Sequence, residues 1–331
     1  MRKVLLATTA LATVAGVAAV ASADVSISGA VEWKYINVSD DEAQSSSARM
    51  SDSLLTSTHD VSVTLTETTD SGITMSMFMN IDDDGSQGTV SSSVSGDFGT
   101  IEMVEGTTGN LAGSSYDVTS VGIAGGHGDA GFTLYNGTGS STVTVGLNEA
   151  AVPASDANTV VNYHSPSFGG FSFGIGAGDL TNADDNSSLS MGAKYTGSAG
   201  DISYTIGYAN FDGVGANEEG NHVGANISWD AITFGIGSSN SQTSTTSKVE
   251  TLSYSVNYAM GDGITLNVGH VNSEDSKAST KQEATNTTVG VAYTIAPGLV
   301  FNVSSHSFDY KEGGTTKNDG QAIQSELKMS F

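Results

Sequence analysis

Apolar and polar residues alternate along most of this chain with a period of two. Ile202, Tyr204, Ile206 and Tyr208 are interleaved with Ser203, Thr205 and Gly207. Leu252, Tyr254, Val256, Tyr258 and Met260 are interleaved with Ser253, Ser255, Asn257 and Ala259. Ile73, Met75, Met77, Met79 and Ile81 repeat the scheme, and so do Phe171, Phe173, Ile175 and Ala177. A period of two sends successive side chains to opposite faces, so these segments are strands with one apolar face. Helical periods are almost absent, and the fold class is all-β.

The connections between these strands fall into two kinds. Residues 69–72, 96–99, 165–169, 197–201, 229–231, 260–263 and 296–298 form seven short turns. Residues 39–57, 82–87, 106–157, 180–187, 212–221, 240–248, 273–284 and 310–320 form eight longer loops rich in Asp, Asn, Ser and Thr. The two kinds occur on alternate strand ends and delimit sixteen antiparallel strands. A rival count treats residues 130–135 and 142–147 as two more strands, which gives eighteen.

The face opposite the apolar one carries Ser, Thr, Gly, Asn and occasional charges. Such a face can line water but cannot fill a dry core. Outer-membrane barrels combine even strand numbers, short turns at one end and long loops at the other, and a tilted spanning strand needs only ~9–11 residues. The apolar face is therefore expected to meet lipid, in a closed transmembrane β-barrel that leaves no unpaired edge in hydrocarbon. Trp33, Tyr35, Tyr163, Phe168, Tyr195, Trp229, Tyr258 and Tyr293 lie on the outward parity near strand ends, where interfacial aromatics sit.

Composition sharpens this picture. The chain has 331 residues and no Cys, which removes disulfides and thiolate metal sites. Residues 1–23 read as a cleaved secretory signal: Arg2 and Lys3, an apolar stretch, then Ala21, Ser22 and Ala23. Residues 24–331 form the barrel domain. Acidic residues number 36 and basic ones 11, for a formal charge of −25. A nucleic-acid partner is excluded, because its phosphates would be repelled. Small cations are the natural partners of such a surface.

At this level of detail the chain resembles a family, the sixteen-stranded general porins of Gram-negative outer membranes, most closely the alphaproteobacterial type. The resemblance rests on the opening Asp24, Val25, Ser26, Ile27, Ser28, Gly29 and on the turn Thr68, Thr69, Asp70, Ser71, Gly72. It also rests on the run from Gly96 through Asp97, Phe98, Gly99 and Thr100 to Met103, and on the run 161–171. The terminal Phe331 matches the family's assembly signal, read by the outer-membrane barrel assembly machinery. The resemblance implies a homotrimer in contact with outer-membrane lipid and lipopolysaccharide. It also implies a third loop folded into the lumen, here residues 106–157.

A diffusion pore needs no catalytic group, only a constriction whose width and charges select solutes. Parity places Glu32, Lys34, Glu102, Lys194, Glu326 and Lys328 on the lumenal face. Glu105 leads into the third loop, which holds Asp117, Asp129, Glu149 and Asp156, with neither Lys nor Arg. Glu105, at the entry to the loop, and Asp117 lead the acidic candidates for the constriction. The family commonly sets loop carboxylates against a basic cluster of arginines. After the signal this chain has a single arginine, Arg49, in the first long loop. The expectation is therefore a weak positive side and a preference for cations.

No cofactor is expected. Asp82, Asp83 and Asp84 could hold Ca²⁺ or Mg²⁺ loosely, but they lack the spacing and terminal Glu of an EF-hand loop. The six His are scattered, His127 in the third loop among them, and no Ser-His-Asp grouping follows from spacing, so an enzyme is not expected. The leading function is passive diffusion of small hydrophilic solutes and ions. A non-conducting structural or adhesive barrel and a solute-specific channel remain as alternatives.

Overall fold

The computed structural model describes residues 23–40, 53–81, 87–105, 111–123, 126, 130, 145–150, 159–178, 188–213, 219–244, 246–276, 278 and 280–331. Most of the proposed signal, together with Asp82, Asp83, Asp84, Asp129, Asp156, His127 and Arg49, lies outside the described residues.

The alternating segments form sixteen strands. They are β1 (Asp24–Asp40), β2 (Ser53–Thr68), β3 (Thr74–Ile81), β4 (Gln87–Gly96), β5 (Gly99–Glu105), β6 (Thr159–His164), β7 (Phe171–Gly178) and β8 (Ser188–Ala199). They continue with β9 (Ile202–Asp212), β10 (Glu219–Trp229), β11 (Ile232–Ser244), β12 (Ser247–Gly261), β13 (Ile264–Asp275), β14 (Gln282–Ala296), β15 (Leu299–Glu312) and β16 (Thr315–Ser330). Each pairs antiparallel with its sequence neighbours, and β16 returns to β1, so the sheet is a closed barrel. Closure pairs Glu32 with Lys328, Trp33 with Leu327 and Lys34 with Glu326. Phe331 continues it beyond β16, exchanging backbone hydrogen bonds of 2.9 and 3.3 Å with Gly29.

The apolar parity faces outward. Ile27, Trp33, Met77, Ile206, Trp229, Val256 and Val291 are all exposed on the barrel's outer surface. Of the eight aromatics named from the pattern, seven are exposed there, and Tyr163 is half-buried with its hydroxyl donating to the Phe98 carbonyl at 2.8 Å. The short turns use the conformations their residues permit. Gly72 and Gly298 have φ of 81° and 76°, and Asp230 and Asp262 occupy the left-handed region at 51° and 50°.

Three expectations are corrected. The loops expected at 240–248 and 310–320 are tight hairpins, since β11 runs to Ser244 and β15 to Glu312. Gly313 and Gly314, with φ of 58° and 79°, make the second turn. Thr, Ser and Asn pair as well beyond the membrane as within it, so polar composition alone did not end these strands. The eighteen-strand count fails as well, because the pairing closes with sixteen.

The third correction concerns the inner face, which is not polar throughout. Ile36, Ala284, Phe308, Tyr310 and Ala322, on β1 and β14–β16, pack with Ala130, Val145 and Leu147 of the third loop into a buried apolar cluster. A second cluster joins Val104, Val160 and Phe211 to Leu111 at the start of the loop. Each Val, Leu, Ile or Phe among them contributes about 1.5–3 kcal/mol when buried.

Candidate pore and its third loop

The third loop leaves β5 and follows the inner wall strand by strand. Leu111 is buried, and a short 3-10 turn over Ala112–Tyr116 follows it. The Ala112 amide donates to Asn162 Oδ1 of β6 at 2.8 Å, and the Gly113 amide to Ser190 Oγ of β8 at 3.0 Å. The Tyr116 hydroxyl donates to the Phe173 carbonyl of β7 at 2.6 Å. Burial, then the nearby Tyr163, pushes that phenol up from its ordinary range, so it stays a donor. Asp117 pairs with His222 of β10. Asn257 of β12 and Asn267 of β13 donate to the carbonyls of Gly122 and Val121 at 3.1 and 3.3 Å. The returning limb is held by Asn286 of β14, which donates to the Leu147 carbonyl at 3.1 Å.

Glycine makes this close approach possible. Gly176, Gly192, Gly207, Gly224 and Gly235 all point inward beneath the loop. A Cβ on Gly192 would stand 2.7 Å from Tyr116 Cβ, one on Gly176 2.7 Å from the Ala112 nitrogen, and one on Gly224 would overlap the Val118 carbonyl. Real Cβ atoms do not approach backbone so closely, so the loop backbone rests on a track where side chains are missing. The anchors named all lie on β6–β14. Across the lumen from them stand the inner faces of β2–β4, lined by Ser62, Thr64, Ser76 and Ser93.

The predicted pore charges separate into three groups. Lys34 is tied to Glu32 at 3.1 Å and to buried Glu326 at 3.9 Å, with Lys328 opposite Glu32 in the ladder. Lys194 donates to the Ser115 carbonyl at 3.3 Å and lies 5.7 Å over the Tyr116 ring, so it braces the loop. Glu102 is half-buried on the inner wall; Asn162 donates to it at 3.5 Å and His164 Nε2 lies 4.0 Å away.

Two acidic expectations change. Glu105 is exposed on the row of Ile101 and Met103, with Glu102 and Val104 on the other, so it faces away from the lumen. The alternation of β5 continues through it, which the nearness of the loop had obscured. Asp117 does lie in the barrel, but it faces the wall at His222 rather than the channel.

Residues missed in the sequence are the loop's wall anchors, namely His222, Ser253, Asn257, Asn267 and Asn286, and also Asp60. Asp60 stands on the inner parity of β2 beside Ser62 and Thr64; it is exposed and has no ion-pair partner among the described residues. Reading β2 from residue 58 put Asp60 too near a loop for its parity to be noticed. The signal for the anchors was available, as Asn and His on an inner row otherwise made of Gly and Ser.

Comparison with known proteins agrees with this geometry. A family model described as Gram-negative porin matches residues 7–313. Comparison with curated protein sequences gave no match. Among solved structures, the anion-selective porin from Comamonas acidovorans is 15% identical, with a TM-score of 0.63 and coverage of 94% of this chain and 100% of that one. A mutant of the Rh. blastica porin is 16% identical, with a TM-score of 0.61 and coverage of 93% and 100%. At such identities the structures establish the fold, and the family match supplies the membership. A closed sixteen-stranded barrel with an apolar outer surface, matched along nearly its whole length, belongs to the Gram-negative porin family and is an outer-membrane channel protein.

Proposed function

We propose that this porin is a passive diffusion channel for small hydrophilic solutes and ions that prefers cations. One observation carries the preference. Lys34 is engaged by Glu32 and Glu326 and Lys194 by the loop, so among the described residues Lys328 is the one lumenal lysine left without an ion pair or hydrogen bond, whereas Asp60 has no basic partner and Glu102 has only a histidine. An unpaired carboxylate facing water attracts cations and repels anions. The fold does not set the sign, since the Comamonas neighbour is described as anion-selective.

Planar bilayers with a KCl gradient test this. The reversal potential is expected to favour K⁺, and Asp60→Asn and Glu102→Gln are each expected to move it toward zero with little loss of conductance. A reversal potential favouring Cl⁻ sinks the preference, and absence of ohmic current sinks the channel reading.

The remaining parts of the proposal are cleavage after Ala23, a homotrimer in contact with outer-membrane lipid and lipopolysaccharide, and recognition of Phe331 by the assembly machinery. Detergent-extracted protein is then expected as a trimer of chains that begin at Asp24, and Phe331→Ala lowers its yield. Intact mass and size measurements giving an uncleaved monomer contradict the first two. Loose binding of divalent cations by the acidic loops is proposed on net charge alone.

A further inference from the structure

The aromatic rings on the inner rows of the described strands are Phe78, Phe211, Phe308 and Tyr310. Phe211, Phe308 and Tyr310 are buried, each in an apolar cluster that includes the third loop. Phe78 of β3 belongs to neither cluster and is only half-buried. Its register partners, Thr64 of β2 and Ser91 of β4, lie on the inner rows, so the ring faces the lumen. Met77 and Met79, on either side of it in the chain, take the outer row.

The side chains that adjoin Phe78 on this wall carry hydroxyls or an amide. Ser76 and Asn80 flank it along β3, and Thr64 and Ser91 stand opposite it. Ser62, Thr66 and Ser93 take the diagonal positions. Opposite residues lie about 5 Å away and same-face neighbours along a strand about 7 Å away. Ser62 Oγ donates to Asn80 Oδ1 at 3.1 Å, so the collar is already hydrogen-bonded on one side.

Charge stands further off. Among the described residues, the nearest charged groups on the inner rows are Asp24, Asp60 and Glu102. Asp24 faces Thr66 from β1 and Glu102 faces Ser93 from β5, each two strands from Phe78. Asp60 lies four positions along β2 from Thr64. Strand spacing and rise put all three about 12 Å or more from Phe78 between Cα atoms.

A ring collared by hydroxyls, with charge held at a distance, matches the chemistry of a pyranose. The C–H bonds of such a sugar form an apolar face that lies flat on an aromatic ring, drawn by dispersion and by the ring's negative face. Its hydroxyls then point outward in the plane of the sugar, toward serines and threonines that can both donate and accept. An organic cation is also drawn to a ring face, but the carboxylates that would strengthen its hold are distant. A purely apolar solute would leave the collar without partners.

We propose that Phe78 is the platform of a weak pyranose subsite on the open wall of the pore, where a neutral cyclic sugar pauses as it crosses. The proposal rests on the channel reading and names a class of solute for it. Weakness suits the role, since a solute that crosses must also leave.

Planar bilayers holding many copies of the full-length protein test this. Current in KCl is followed as D-glucose is added, beside sorbitol, its acyclic reduced form, at matched viscosity. Glucose is expected to lower the current saturably, and sorbitol only as far as it lowers the bulk conductivity. Phe78→Ser and Phe78→Leu are expected to raise the half-blocking glucose concentration on the order of fivefold, because neither keeps a planar face. Phe78→Tyr keeps it near the wild-type value. The reversal potential in a KCl gradient stays unchanged in all three variants, because the subsite is neutral. Equal effects of glucose and sorbitol on the wild type overturn the proposal. So does a glucose block unchanged in both the Ser and the Leu variant, or block by tetramethylammonium in place of glucose. Saturation-transfer NMR of glucose with the protein in detergent separates the subsite from the channel. Transfer to glucose that Phe78→Ser abolishes, in a barrel that carries no current, sinks the channel reading and keeps the subsite. Current without transfer sinks the subsite and keeps the channel.

Discussion

Gly224 shows how much of this pore depends on single missing atoms. It lies on the inner row of β10, beneath the Val118 carbonyl, in space that a methyl group would occupy. Gly224→Ala therefore forces the loop backbone off the wall, at about 1–3 kcal/mol for an overpacked site. The expected result is a changed single-channel conductance with an intact barrel, read by bilayer recording beside circular dichroism. An unchanged conductance would mean that the loop is not seated on the glycine track. The inner position of these glycines was legible as alternation, but what they accommodate was not. Sequence spacing gives parity, whereas the partner comes from a loop more than fifty residues away in the chain. Asp60 and Glu105 mark the same boundary. Parity is a robust guide in the middle of a strand and a weak one at its ends, where one residue of error exchanges lumen for exterior.

At the scale of elements, the strands were legible and their lengths were not. β14–β16 span 15, 14 and 16 residues, more than the ~9–11 that a tilted strand needs to cross the membrane. Their outer rows change from apolar to polar partway, as at Val289 and Thr287 or at Val303 and Ser305. Composition marks where the lipid ends, whereas backbone pairing marks where the strand ends, and the two differ by several residues. The third loop was legible only as an unusually long connection. Its apolar contacts, Leu147 and Val145 against Phe308 and Tyr310, are invisible to a two-residue period because they join a loop to the inner wall. That cluster also explains why part of the inner face is apolar. It packs against protein, whereas the inner faces of β2–β4, across the lumen from the loop's anchors, keep their hydroxyls.

The whole molecule follows from one asymmetry, an apolar row outside and a small or polar row inside, carried around a ring that closes on itself. The barrel therefore has two solvents, lipid and water, separated by the thickness of one backbone. Met77 and Ser76 sample both, adjacent in sequence at the middle of β3. Met77 is exposed on the outer surface, and Ser76 lies inward opposite Thr66 and Ser93. A lysine at Met77 must hold its ammonium in hydrocarbon or against another apolar surface, at about 2–4 kcal/mol near the bilayer midplane. A lysine at Ser76 can reach water along the wall that faces the third loop. Met77→Lys is thus expected to reduce folded protein in the outer membrane and to lower resistance to unfolding by heat in detergent. Ser76→Lys is expected to assemble normally and to move the reversal potential in a KCl gradient toward Cl⁻, by placing a cation near Glu102. Assembly failure for Ser76→Lys with normal assembly for Met77→Lys would reverse the register of β3 and, because every strand is paired to the next, of the entire barrel. The two substitutions differ by one position in the chain, so neither composition nor distance along the sequence separates them, and only the direction of the side chain does.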